Sequence, residues 1–299
     1  MNRRALLILL LLGLALTFSQ AGPPPGAAQI RAMAGGSELV ITTTPRLAGA
    51  IGSLRWGGKE FIDAADHGRE LQSASSFDNT PAAGAETFNP TEAGSRDDGA
   101  GPNSTSRLLE LTAGKDWLRT RTQMAFWLAP GESSAGQPAR NRTRLSDYRL
   151  TKEVHIGVGQ WKQALDYQVT FTLPARSAHT NAQFEALTGY MPEEFSQFWQ
   201  FNPSTHKLER LSDGPGEINH PVVLATPDGR FAMGIYGVSG RGKLTYGRWK
   251  FAGARVVKWN CVMRVRSAQP IPPGDYVCRM RVPLGTLADV QAMLGEWEP

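Results

Sequence analysis

A chain of 299 residues, 41% hydrophobic and 20% charged, holds enough apolar material for one large core, and all-β domains commonly reach this size. The formal charge of +5 is too small to mark a nucleic-acid-binding surface by itself, so local clustering decides what any basic face does. Two cysteines, Cys261 and Cys278, with no CxxC or HxxxH spacing, supply no zinc framework. No metal site and no cofactor is expected.

The chain opens on "MNRRALLILLLLGLALTFSQAG". Arg3 and Arg4 precede an apolar run, Ala5 to Phe18, and Ser19-Gln20-Ala21 is a small-x-small cleavage signal. Residues 1–21 read as a signal peptide, too short and wrongly flanked for a membrane anchor. No cysteine follows that would take a lipid. The expectation is a secreted or periplasmic protein with no membrane anchor. Residues 22–34, opening on "GPPPGAAQ", read as a flexible linker, which leaves 35–299 as one domain.

Strand signals then dominate. "SELVITTTP" is β-branched and stops at Pro45. Ala48 to Asp63 reads as a hairpin turning at Gly57-Gly58, and Ser106 to Ala129 as a second pair. "RLTKEVHIGV" and "ALDYQVTFTLP" flank a Trp161 connection, and two apolar runs flank Pro227 to Arg230. Helix signals are few. Met191 to Phe201 has Pro192 at a helix start followed by Glu193 and Glu194. Near the C-terminus Thr286 and Asp289 form a capping-box start before Leu287, Val290 and Leu294. Residues 72–105 and 130–147 are long and polar, the kind of loop that an all-β domain keeps for function. The fold expected is all-β, a large antiparallel sandwich with few short helices.

Arg255 to Gly285 reads as a last hairpin around a Pro-rich turn. Alternation puts Trp259, Cys261, Met263, Tyr276, Cys278 and Met280 on one face, and Lys258, Asn260, Arg264, Arg266, Arg279 and Arg281 on the other. Cys261 opposite Cys278 permits a disulfide or two buried thiols. The basic face is either solvated or matched to an anion, with Glu92, Asp97 and Asp98 as alternative partners.

The polar stretches "DHGRELQSASSFDN" and "ETFNPTEAGSRDDG" carry candidate chemistry. Arg69 suits a carboxylate or a pair of sugar hydroxyls, and His67 suits proton transfer. Internal salt bridges in a polar loop are the plain alternative. Asn89 and Glu92 lie in a loop shaped by Pro90 and Gly94; Glu92 is a candidate general acid or base, or else a partner for turn amides. If the chain is extended from Asn181, His179 and Glu185 share a face, with Tyr190 beyond them. Trp127, Trp161, Trp199, Trp249 and Trp259 are mainly core, with one or two available to stack on sugar.

Several stretches resemble the galactose mutarotase-like (aldose 1-epimerase-like) β-supersandwich family. "AGAIGSLRWGGKEFIDAADHGRELQ" is similar to its early strands, and "GEINHPVVLATPDGRFAMGIYG" and "RVVKWNCVMRV" to its later ones. The resemblance implies a carbohydrate ligand. It would make Arg69 the family's ring-binding Arg and His179 one of its His residues. The late carboxylate base of the epimerases is replaced by Lys258 and Asn260, which argues against ordinary mutarotation. The reading reached is an exported protein with a basic glycan cleft, a lyase or hydrolase of an acidic polysaccharide, with no nucleic-acid partner. His179, Glu185, Glu92 and Tyr190 are its expected catalytic residues. His67, Arg69, Asn89, Lys258, Asn260 and Arg279 are its expected binding residues. A non-catalytic glycan binder, or an epimerase with an unidentified base, is the alternative.

Overall fold

The computed structural model describes residues 26–78 and 86–297. The expected signal peptide and Asn79 lie outside them. The first half of the chain forms β1 (Ala28–Ala34), β2 (Ser37–Thr43), β3 (Ile51–Trp56), β4 (Lys59–Glu60), β5 (Leu71–Phe77), β6 (Pro90–Thr91), β7 (Arg107–Ala113), β8 (Trp117–Phe126), the short β9 (Ser133–Ser134) and β10 (Gln137–Pro138), and the long pair β11 (Leu145–Val158) and β12 (Trp161–Leu173). The second half forms β13 (Asn181–Pro192), β14 (Gln197–Asn202), β15 (Lys207–Arg210), β16 (Gly216–Ile218), β17 (Val222–Ala225), β18 (Ala232–Ser239), β19 (Leu244–Phe251), β20 (Val256–Arg266), β21 (Gly274–Gly285) and a single α-helix, α1 (Leu287–Trp297).

All pairings are antiparallel and, apart from β3–β4 and the separate two-stranded sheet β9–β10, fall into two runs. One runs β1–β2–β3–β5–β13–β20–β19–β16. The other runs β7–β8–β11–β12–β21–β18–β17–β14–β15. β6 bridges β5 to β8 and joins the two into one 19-stranded sheet. Apolar residues from both runs meet in one core that includes Ile41, Leu54, Tyr167, Phe184, Trp259 and Met280. The expected all-β supersandwich is the observed architecture.

Local chemistry explains most hairpins. Glu60 clamps the β3–β4 turn, its carboxylate accepting from the Ser53 hydroxyl and from the amides of Leu54, Phe61 and Ile62. The capping box of α1 forms as expected: the Asp289 amide donates to the Thr286 hydroxyl at 3.1 Å, and the Thr286 amide to Asp289 at 3.0 Å. The helix buries Val290, Met293 and Leu294 against a second apolar cluster.

Three expectations are corrected. The stretch read as a flexible linker, 22–34, contains β1, which pairs with β2 along its whole length and buries Ile30 and Ala34. Met191–Phe201 is not a helix. Pro192 closes β13, a turn follows, and the chain re-enters the sheet as β14 between β15 and β17. Phe195 and Phe198 are buried, so the segment packs its apolar side chains into the core from a turn and a strand, not from a helix. Finally, β20 and β21 are no hairpin. β20 pairs with β13 and β19, whereas β21 pairs with β12 and β18. Residues 267–273 carry the chain from one run to the other. Cys261 and Cys278 are buried free thiols that touch across the core.

Among the described residues no helix is long and apolar enough to cross a membrane, and no group of three His, Cys, Asp or Glu side chains could hold a metal ion.

Candidate functional site

A polar face runs across the middle of the first strand run. Cross-strand partners lie on the same side of a sheet, so the register defines it. One row is Gln72, Thr188, Asn260, Gly247 and Glu217. The next is Ala74, Glu185, Val262 and Thr245. A third is Tyr190, Lys258 and Trp249. β13 carries an irregularity between Glu185 and Thr188 in both of its pairings. That bulge lets two residues three apart share this face. The Thr188 hydroxyl consequently donates to Glu185 at 2.8 Å.

A cavity of 90 Å³ opens on this face, with Gln72, Glu185, Thr188, Tyr190 and Lys258 as its floor. Glu86, Asn89 and Trp127 form its wall. Gly68 is required there. A Cβ at that position would sit 2.6 Å from the Trp127 ring, so only glycine lets the indole close the wall. Gly247 does the same for Trp249, whose ring would lie 2.1 Å from an added Cβ.

Charges in the cavity are ordered by their neighbours. Lys258 donates to Glu185 at 3.1 Å, and its ammonium stands 4.7 Å from the Trp249 ring centre and 5.1 Å from that of Tyr190. Burial by itself would raise the Glu185 pKa. The Lys258 charge and hydrogen bonds from Asn260, Thr188 and Lys258 outweigh it and hold the carboxyl below its ordinary value. Burial works against the Lys258 charge too, yet Glu185 and Tyr190 raise its pKa further above the lysine range. Glu86 differs. Loss of water around its carboxyl, and then the Glu185 charge, raise its pKa, while Lys258 and the Trp127 N–H pull weakly the other way. The cavity therefore holds two carboxyls whose pKa values are displaced in opposite directions, Glu185 downward and Glu86 upward.

Of the residues expected from sequence, Glu185, Tyr190, Asn89 and Lys258 converge here, with Asn260 one step behind as a donor to Glu185. Arg69 is close by but committed elsewhere. Its guanidinium is hydrogen-bonded to Asp66 at 2.8 Å and 3.0 Å and donates to the Ala254 carbonyl. The other four are not in the cavity. Glu92 is fully buried. It accepts from Lys152 Nζ at 2.6 Å and from the Ser73 amide at 3.0 Å, and Lys152 also donates to the Gly49 carbonyl. A carboxylate sealed in this way cannot reach a ligand. His67 is buried with both ring nitrogens on backbone carbonyls, those of Gly99 and Arg46, each at 2.7 Å. It pins three loop segments together. Arg279 lies on the outer side of β21, paired with Asp166. His179 precedes β13 and lines a different cavity, with Nδ1 on Asp78 at 2.6 Å and Nε2 on the Tyr148 hydroxyl at 2.7 Å. The expected basic cleft, with Lys258 and Arg279 on one face, does not form, because these two strands belong to different runs and each cation has its own carboxylate.

Sequence reasoning passed over Glu86, Gln72 and Thr188. Glu86 opens the same polar stretch that contains Glu92. A loop has no side-chain period, so nothing in the pattern separates the buried glutamate from the open one.

Among solved structures the chain is similar to a galactose mutarotase related enzyme from Lactobacillus acidophilus, at 10% identity and a TM-score of 0.48 over 87% of this chain and 98% of that one. It is similar to a galactose mutarotase-like protein from Clostridium acetobutylicum, at 8% identity and a TM-score of 0.43 over 86% of this chain and 94% of that one. An α-galactosidase from Lactobacillus brevis shows 9% identity and a TM-score of 0.46, with 87% of this chain covered but 39% of that one. No protein-family model and no curated protein matches the chain.

Proposed function

We propose that this protein binds carbohydrate, one neutral sugar unit at a time, in the cavity floored by β5, β13 and β20. The observation that carries this reading is Glu185, an ionised carboxylate held open to a small cavity by three donors. The Gln72 and Asn89 amides and the Trp127 ring complete a surface of hydroxyl-binding groups beside an aromatic wall. A volume of 90 Å³ falls below the roughly 300–1,000 Å³ of sites that enclose a whole ligand, so the cavity takes part of one ring. The charge balance favours a neutral sugar. Lys258 already has Glu185 as its counter-ion, so no free cation awaits a uronate carboxylate.

A second reading rests on Glu86 and Glu185. Their pKa values are displaced in opposite directions, the arrangement that general acid–base chemistry at a sugar needs. Proton transfer at the ring or anomeric oxygen would fall to this pair, and not to His179 or Glu92. Elimination from a uronate is disfavoured, because its neutralising cation would have to be Lys258.

Ligand-observed NMR with galactose, glucose and galacturonate tests both readings. Saturable binding of a neutral sugar is expected, weakened about tenfold or more in Glu185→Gln with the fold intact by circular dichroism. Absence of neutral-sugar binding in the unaltered protein, or undiminished binding in the variant, would overturn the proposal. The same samples report anomer exchange. Acceleration that disappears in Glu86→Gln would establish the acid–base role.

A further inference from the structure

A larger cavity lies elsewhere. A groove of 820 Å³ opens between residues 140–149, leading into β11, and residues 172–179, between β12 and β13. Four guanidinium groups line it, those of Arg140, Arg142, Arg149 and Arg176. Arg140 stands over the Phe88 ring and is 3.9 Å from Asp78. The other three are exposed and make no hydrogen bond or ion pair with any described residue.

What marks the groove is four cations gathered around little counter-charge. Several strand arginines elsewhere are matched: Arg119 with Glu110 and Glu153, Arg264 with Glu217, Arg279 with Asp166. In the groove Asp147 is the one lining carboxylate against four guanidinium groups. Residues 79–85, "NTPAAGA", which follow Asp78, contain no acid, and neither do residues 1–25. The groove is also rigidly floored. His179 Nδ1 is hydrogen-bonded to Asp78 and Nε2 to the Tyr148 hydroxyl, and the His179 ring stacks on Phe77 with centres 4.5 Å apart. Like charges gathered on a fixed frame repel one another until an anion neutralises them.

We infer that this groove binds a small ligand bearing an oxyanion, a carboxylate or phosphate on a sugar-sized scaffold. Guanidinium forks match both anions bidentately, which a lysine patch would not. The volume lies within the roughly 300–1,000 Å³ range of sites that enclose a whole small molecule. The inference stands apart from the neutral-sugar cavity, which shares none of these arginines.

Isothermal titration of the full chain at low salt, with inorganic phosphate, glucuronate and glucose as separate probes, tests it. Saturable binding of at least one anion is expected, and which one binds identifies the source of the oxyanion. The double variant Arg149→Gln, Arg176→Gln should weaken that binding at least about tenfold while keeping any neutral-sugar binding of the other cavity. Since neither side chain has a partner to lose, its melting curve should match that of the unaltered protein; Arg142→Gln alone provides the check if it does not. Failure of both anions to saturate, or an affinity in both the double variant and Arg142→Gln as high as that of the unaltered protein, would overturn the inference.

Discussion

Two glutamate–lysine pairs in this molecule have the same chemistry and opposite uses. Glu92 and Lys152 meet at 2.6 Å with no exposed surface on either side chain. Glu185 and Lys258 meet at 3.1 Å with side-chain exposures of 25% and 11%, on the wall of a cavity. The first pair spends its remaining hydrogen-bonding capacity on the framework, the Ser73 amide and the Gly49 carbonyl. The second is ringed by groups that still face open space. An ion pair thus becomes a site through access, not through the identity of its partners.

Removal of the lysine from each pair separates the two most strongly. Lys152→Met leaves Glu92 as an uncompensated buried charge and is expected to cost about 3–5 kcal/mol, read from urea unfolding. Lys258→Met should cost clearly less, since water can reach Glu185. Equal losses would show that access does not separate the pairs.

A third carboxyl sharpens the point. Glu70 is buried, and among the described residues neither of its oxygens has a well-formed hydrogen bond. Burial, followed by the charges of Glu92 and Asp66, raises its pKa well above the ordinary value, against a weaker pull from Arg46. Its folded form holds a proton that the unfolded chain releases near pH 4.3. Stability from this group is therefore complete below that pH and is lost as pH rises toward the raised folded value. Glu70→Gln should remove a stability slope of up to about 1.4 kcal/mol per pH unit across that window, seen as a difference between the two proteins' urea midpoints. Parallel pH profiles would contradict it.

The smallest effect is expected at Arg279. Its pair with Asp166 is largely exposed, so Arg279→Ala should change stability by under about 1 kcal/mol and leave sugar binding unaltered. A clear loss of sugar affinity would restore the cleft that its sequence face suggested.

Much of the fold was legible because it is written locally. Turns such as Gly57-Gly58 and the capping residues of α1 act within a few positions, and strand alternation marked the buried faces of β20 and β21 correctly. Pairing partners were not legible there. Alternation fixes which way a side chain points but not which strand lies alongside, and residues 267–273 cross to the other run where a hairpin would have turned back. The site was half legible for the same reason. Lys258 and Asn260 sit on β20, whose period is intact, whereas Tyr190 reaches the face of Glu185 only through the bulge in β13. His179 and Glu185 were placed together on a parity that does not hold, because His179 lies outside β13. Glu86, Glu92 and His67 belong to loops, where only the folded chain decides which polar group faces outward.

Phe88 and Asn89 are consecutive residues, yet Phe88 lines the arginine groove and Asn89 the smaller cavity beside Glu185. The partition between the two cavities is one stretch of backbone, tied by the Phe88 carbonyl to the Phe77 amide and by the Asn89 carbonyl to the Trp127 amide. A wall this thin has two faces and one position. Any ligand that shifts it from one side changes the fit on the other, and linkage makes the exchange symmetric: whatever factor an anion imposes on the affinity for sugar, sugar must impose on the affinity for the anion.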